Sequence, residues 1–389
     1  MFWKIILLCA FAGQIINAEN DLATTSVEQQ IQDDIFRILH TQTKALWSGT
    51  PSDQNIQFPP LSLEAGLQMV QMKLYYESLV GVFYSKNDFL KKAYALAGIL
   101  DKMSLTTNAK LKFVNSVFYD QSKTSKQLLN DLKTYYHAES YEVSFNSEAA
   151  ILAIVNEWLN NVTKGRSPKV ESFPLVTGMN NLQSSLISYT SCWDTPKIWT
   201  NFIKLLKFKN SKGEFEIETF NAKETIGYYN NAEQKYEAIR LPFRKGEFAM
   251  IVVLPNQDQS LESIVKLTAN DHQQILQRVS ENYENIDYAI PFMNLTQMTV
   301  NENGTAINGD DAITCNWPTA TQETQEINNI NFKPFYVNRP FAVYVYDEKT
   351  KFVVMYGLVN NPALGTMKFR SLQLQVRITN DKTDLQFER

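Results

Sequence analysis

Val300-Asn-Glu-Asn-Gly-Thr-Ala306 runs into a polar stretch, Asn308 to Phe332, that contains no Lys or Arg. Beyond it lie Asn338-Arg-Pro-Phe-Ala-Val-Tyr-Val-Tyr-Asp-Glu-Lys-Thr350 and Met355-Tyr-Gly-Leu-Val-Asn-Asn-Pro362. The first stretch reads as the end of a strand. The last two are rich in Val, Tyr and Phe and read as a pair of late strands. A strand closing on Glu-x-Gly-Thr, a long loop and two C-terminal strands is the arrangement that decides the fold.

Working outward, the 389 residues are 44% hydrophobic and 20% charged, an ordinary globular balance that can bury a large core. The formal net charge of -4 comes without a dense basic run, which argues against nucleic acid or an anionic membrane as partner. Met1-Phe-Trp-Lys4, the apolar Ile5 to Phe11 and small residues ending at Ala18 have the layout of a secretory leader, residues 1–18. No later run is long and apolar enough to span a bilayer. The mature chain is therefore expected outside the cell, as a monomer.

Three Cys occur, and Cys9 leaves with the leader. Cys192 and Cys315 remain, too few for a disulfide framework. They are open to pairing with each other, to lying apart as free thiols, or to pairing between molecules. Three sequons follow the leader, at Asn161-Val-Thr163, Asn294-Leu-Thr296 and Asn303-Gly-Thr305, and N-glycans are expected on at least one.

The pattern along the chain is helices first, strands later. Ile31, Ile35, Ile38, Leu39 and Leu46 give a helix over Val27–Trp47, and Leu63, Leu67 and Val70 begin another. Leu111–Tyr119 reads as a strand, Leu128–Ala138 and Ala149–Leu159 as helices. Leu182–Trp193, Phe215–Phe220, Tyr236–Phe243, Phe248–Leu254 and Ile286–Phe292 read as strands, with a helix over Leu261–Val279. Such an order without regular β-α alternation is α+β. Leu372–Ile378 alternates and is a candidate edge strand in the tail.

Several of these segments resemble the serpins, in that family's own order. They are Asn55-Ile-x-Phe-x-Pro-Leu-Ser62, Tyr135-Tyr-His-Ala-Glu139 with Val143-Ser-Phe145, Val155-Asn-Glu-Trp158 with Thr163-Lys-Gly-Arg166, Tyr236-Glu-Ala-Ile-Arg-Leu-Pro-Phe243 and Phe248-Ala-Met-Ile-Val-Val-Leu-Pro255. The hinge and late strands quoted first complete the set. The leader and the divergent loop are similar to those of extracellular insect members. The resemblance implies one domain over residues 19–364, with three β-sheets, about eight or nine helices and an exposed reactive loop at 303–332, then a C-terminal extension at 365–389. It also implies a mechanism. A serine protease cleaves the loop and becomes bound to it. The loop then enters the central sheet as a new strand, carrying the protease away and distorting it.

The loop itself departs from the family pattern. Glu302, Gly304 and Thr305 match the hinge, but the small residues expected next are replaced by Ala306-Ile-Asn-Gly-Asp-Asp-Ala312. Side chains alternate along a strand, so Thr305, Ile307, Gly309 and Asp311 would enter the core. A bulky Ile and an unpaired carboxylate are expected to slow insertion. A glycan on Asn303 would sit at the pivot, unless that sequon is an unused tight turn. The family's spacing puts the scissile region at Trp317, Pro318 and Thr319, where proline removes an amide hydrogen and fixes φ. The region from residue 255 to the hinge is shorter than the family pattern by a helix and its turns. Pro59 replaces a helix-start Ser, Asn294-Leu295 a His-Lys pair, and Tyr189 stands near a lost Asn. These features predict a secreted serpin-fold protein that has lost suicide inhibition and keeps a binding or regulatory role. The alternative is an inhibitor of a non-trypsin-like serine protease.

An enzyme of another class has little to stand on. His40, His137 and His272 carry no triad or metal spacing, and no phosphate-cradling glycine loop, nucleophile elbow or Cys-x-x-Cys pair occurs. No cofactor, metal or catalytic residue is expected. Asp310-Asp311 reads as a solvated acidic loop. Lys204, Lys207, Lys209 and Lys212 read as a plain surface among acidic neighbours, with an anionic polysaccharide as the remote alternative.

Overall fold

The computed structural model describes residues 26–50, 53–76, 86–104, 109–165, 170, 180–194, 203–295, 297–308, 315 and 330–363. In chain order the elements are α1 (Val27–Ser48), β1 (Ile56–Phe58), α2 (Pro60–Tyr76), α3 (Lys86–Ser104), β2 (Ala109–Tyr119), α4 (Lys126–Tyr136), β3 (Glu139–Glu142) and α5 (Glu148–Thr163). There follow β4 (Asn181–Cys192), β5 (Lys204–Asn210), β6 (Gly213–Asn231), β7 (Tyr236–Pro242), β8 (Phe248–Pro255), α6 (Glu262–Val265) and α7 (Ala269–Glu281). The chain continues through β9 (Tyr283–Pro291), β10 (Met293–Asn294), β11 (Met298–Val300), β12 (Gly304–Ile307), β13 (Lys333–Tyr336), β14 (Phe341–Asp347) and β15 (Val353–Val359). The leader, the acidic pair Asp310-Asp311, residues 317–319 and the extension at 365–389 lie outside the described residues.

Local chemistry sets the helix ends. Ser26 caps α1 by accepting from the Gln29 amide at 3.1 Å, and Ser147 caps α5 through the Ala150 amide at 3.3 Å. The helix expected over Leu261–Val279 is instead two. Thr268 stops the first and starts α7 with a capping box, its hydroxyl taking the Asp271 amide while the Asp271 carboxylate takes the Thr268 amide.

Among the described residues the strands form two sheets. One has nine strands, ordered β1-β15-β14-β8-β7-β6-β9-β13 with β5 also on β6; the other is β10-β11-β12-β4-β2-β3. Two of the three sheets implied by the resemblance run together among the described residues because β6 is long. Residues 213–219 of β6 pair with β5, 219–227 with β9 and 227–231 with β7, which joins two of them along one strand. Seven α-helices stand among the described residues. Strands β8, β14 and β15 are buried along their whole length, so they are continuously apolar instead of alternating.

The six-stranded sheet carries the candidate site, and both its faces are covered. On one side α2 touches both β4 and β15, so it lies between the two sheets. On the other side α5 packs Ile151, Val155, Trp158 and Leu159 onto Phe118 of β2 and Leu182 of β4. The Trp158 ring meets Phe118 edge-on at 5.9 Å. Each such buried aliphatic or aromatic side chain contributes about 1.5–3 kcal/mol.

Candidate functional site

The hinge residues are a strand of the sheet. Gly304 to Ile307 lie between β11 and β4 and are antiparallel to both: Ile307 faces Met298 on one side and Tyr189 on the other, and Thr305 faces Val300 and Ser191. The ladder extends past both ends of β12. The Trp193 amide donates to the Asn303 carbonyl at 3.0 Å, and the Asn308 side-chain amide donates to the Ile187 carbonyl at 3.0 Å. The Asn308 main-chain amide turns the other way, to the Gln297 carbonyl.

Thr305 and Ile307 both point inward and are fully buried. The exposed reactive loop expected over 303–332 is thus buried at Gly304–Ile307. The physical reason is the lining of the slot. Ile307 sits beside Tyr189, whose ring packs on Phe243 at 5.6 Å and Phe248 at 5.1 Å. A branched apolar side chain fits that aromatic layer. Thr305 is less well served, since its hydroxyl is buried without a partner.

A tight turn delivers β12 into the sheet. The Asn301 side-chain oxygen accepts from the amides of Asn303 at 2.8 Å and Gly304 at 3.2 Å, and the Asn301 amide donates to the Gly304 carbonyl. The Trp193 indole N–H, buried and stacked on Phe243 at 4.7 Å, donates to the Asn301 carbonyl at 2.8 Å. Gly304 is required by close approach. A Cβ there would stand 2.0 Å from the Ser191 carbonyl oxygen and 2.9 Å from the Cys192 Cα.

Cys192 and Cys315 form a disulfide with Cα atoms 6.0 Å apart. Of the three states left open by the sequence, the chain takes pairing within itself. Cys192 is the residue opposite Gly304, so the loop goes down the sheet for four residues and is then tied back to its starting point. Continued at the same register, Cys315 would instead face Asn181, eleven residues along β4 from Cys192. That is a separation of about 36 Å at 3.3 Å per residue. The disulfide and full insertion cannot coexist.

The other candidate residues are scattered. Glu302 lies half-buried in the turn beside Asn303. Asn161 is exposed on α5, while Asn294 in β10 is half-buried and accepts from Thr299 at 3.4 Å. The histidines stand apart. His40 Nδ1 meets the Leu267 carbonyl at 2.7 Å, His137 meets Asp101 at the surface, and His272 is buried against the Tyr344 hydroxyl at 2.7 Å. Burial holds the His272 imidazole neutral, its pKa pushed down to about 3. On β5, Lys207 and Lys209 face Glu216 and Glu214 across the strand pair, which offsets the local positive charge.

Sequence reasoning left the Cys192–Cys315 pairing open and missed the role of Asn301. The one available signal was the position of Cys192 at the end of the strand that flanks the hinge.

Comparison with known proteins reaches to the edge of this region. Residues 42–299 match the family model described as Serpin (serine protease inhibitor). Mouse neuroserpin is 23% identical over 238 residues, covering 56% of this chain and 57% of that protein. Human Serpin I2 is 23% identical over 259 residues, covering 61% and 62%. The chain thus spans under two thirds of the length of these relatives. Human thyroxine-binding globulin, solved with its ligand, superposes with a TM-score of 0.69 at 16% identity, over 87% of this chain and 100% of that one. Human glycosylated kallistatin gives 0.66, again at 16% identity, over 87% and 99%. At these identities the structures speak to the fold alone.

Proposed function

The chain belongs to the serpin family of serine protease inhibitors, and from that premise we propose that it is a secreted member in which the loop is tied down and suicide inhibition is lost. The remaining role is extracellular binding or regulation. The leader-like N-terminus, the three sequons and a disulfide suited to an oxidising compartment support export and glycosylation.

The observation that carries this reading is the Cys192–Cys315 bond. Inhibition in this family needs a cleaved loop to carry the attached protease along the sheet. By sequence count the scissile region begins at Trp317, two residues beyond Cys315. Two residues reach at most about 7 Å. A protease acylated at Trp317 would stay beside Cys192 with its active site undistorted, free to hydrolyse the acyl bond. The Trp317-Pro318 bond and the lack of Lys or Arg in Asn308 to Phe332 oppose cleavage by trypsin-like enzymes as well. A binding role has a precedent in the fold, since thyroxine-binding globulin was solved in complex with thyroxine.

One observation favours the second reading, an inhibitor of a non-trypsin-like serine protease. Thr305 and Ile307 already occupy the sheet, so the first hinge residues fit. Incubating the oxidised mature protein with chymotrypsin, elastase and trypsin, then running non-reducing denaturing gels, separates the two. Cleaved or untouched protein without a covalent complex is expected. A detergent-resistant complex would overturn the reading.

A further inference from the structure

We propose that the cavity between α5 and the six-stranded sheet is a binding site for an amphipathic carboxylate of the fatty-acid type, its head held by Lys110 and Lys112. This rests on the binding role read above and gives that role a place and a ligand class. The cavity has a volume of about 760 Å³, within the range of roughly 300–1,000 Å³ found for small-molecule sites. It is lined by residues of β2, β3 and β4 on the sheet side and of α5 on the other, with Asn308 just past the end of β12.

One end of the cavity is cationic. Side chains alternate along a strand, so Lys110, Lys112 and Val114 share the face of β2 on which Phe118 meets α5. Lys110 is paired opposite Thr190 of β4 and Lys112 opposite Ser188, and all four line the cavity. Directly opposite residues hold their Cβ atoms about 4.5–5.5 Å apart, so two ammonium groups and two hydroxyls form one block of donors. Both lysines are exposed, and neither forms an ion pair among the described residues. Lys164, the C-cap of α5, is a third cation in the lining. The carboxylates that line the cavity are Glu157 on α5 and Glu139 on β3. Glu139 accepts from the Tyr141 hydroxyl at 2.5 Å and pairs at the level of Ser116, about 13–20 Å along β2 from the two lysines.

Beyond the lysines the lining turns apolar, through Val114 of β2 and Ile154 and Val162 of α5. Trp158 completes this part. It is only 3% exposed, and its indole N–H is buried without a partner. Buried donors are almost always paired, and an acceptor atom on a ligand would satisfy this one. The Trp158 ring packs on Phe118, which lies about 20 Å along β2 from Lys112. A chain with a carboxylate at one end and an acceptor toward the other serves both ends of the cavity. A wholly apolar ligand would leave the lysines and the indole N–H unused, and a small inorganic anion would leave the apolar wall bare.

The test is a fluorescence titration of the oxidised mature protein with dansyl-aminoundecanoic acid, a carboxylate with a sulfonamide at its far end, and with its uncharged methyl ester. The acid should bind one-to-one, with energy transfer from tryptophan to dansyl, and the ester at least about tenfold more weakly. The Lys110→Gln/Lys112→Gln double variant should bind the acid about tenfold or more weakly and the ester unchanged. Both lysines are exposed, so this variant keeps its fold and decides the matter even where a Trp158 variant does not fold. Trp158→Phe should weaken acid and ester alike, by about threefold or more. Equal affinity for acid and ester, no loss in the lysine variant, or no saturable binding overturns the site. A covalent protease complex from the oxidised protein overturns the reading above instead, and the titration still judges the site on its own.

Discussion

Truncating Ile307 measures whether the hinge truly lies in the sheet. The side chain is fully buried between Met298 and Tyr189. Ile307→Val removes one methylene and should destabilise by about 1 kcal/mol, while Ile307→Ala should lose about 2–5 kcal/mol. Expulsion of β12 sets an upper limit, because beyond that point leaving the sheet costs less than staying in it. Unfolding entropy is about 2.1 cal/mol/K per residue, or roughly 0.8 kcal/mol/K over this chain, so a 3 kcal/mol loss lowers Tm by only about 4 °C. Denaturant midpoints and hydrogen exchange in Gly304–Ile307 and Tyr189–Cys192 are the more sensitive assays. A residue in an exposed loop would give changes within about 0.5 kcal/mol for both variants. That flat result, with unchanged exchange in β4, would refute the inserted hinge.

Three further outcomes are expected. Gly304→Ala drives a Cβ into the Ser191 carbonyl, so β12 must shift, stability should fall by at least about 1–3 kcal/mol, and the thiols of the reduced protein should be labelled faster. Burial pushes the Glu64 carboxyl up to about 7 against the pull of Lys92, so its contribution is full below its unfolded value of 4.5 and is lost as pH rises through about 7. Glu64→Gln should flatten the decline in denaturant midpoint between pH 4.5 and about 7, and an undiminished decline would place the titration elsewhere. His272 has the opposite sign: its folded value lies below the unfolded 6.5, so stability is full above 6.5 and falls as pH drops toward about 3, by up to about 1.4 kcal/mol per pH unit. His272→Asn should remove that acid slope in a pH series of melts.

Much of the architecture was legible because it is written in periodicity. The helical spacing of Ile31, Ile35 and Leu39, the run Phe248–Leu254 and the late strands each state their own structure, and all are found where they were expected. Lys204–Asn210 was read as a charged surface, since a strand paired to Glu-rich β6 keeps one face wet and shows no apolar signature. The merging of two sheets was hidden because it depends on how far β6 runs, which pairing decides and local propensity does not. Alternation named Thr305 and Ile307 as inward-facing, and both are buried; the Tyr189, Phe243 and Phe248 layer beside Ile307 is assembled from separate strands and has no local signature. The disulfide joins residues 123 apart, and only the fold brings them together.

The account turns on a tether that stops the loop after four residues, and the melting temperature of the nicked protein tests this most directly. Chymotrypsin-cleaved mature protein, kept oxidised with Cys192–Cys315 intact, should melt within a few degrees of the uncleaved form. A nicked form far more heat-resistant than the intact one, with the disulfide still closed, would mean that the arm had run the length of β4 regardless.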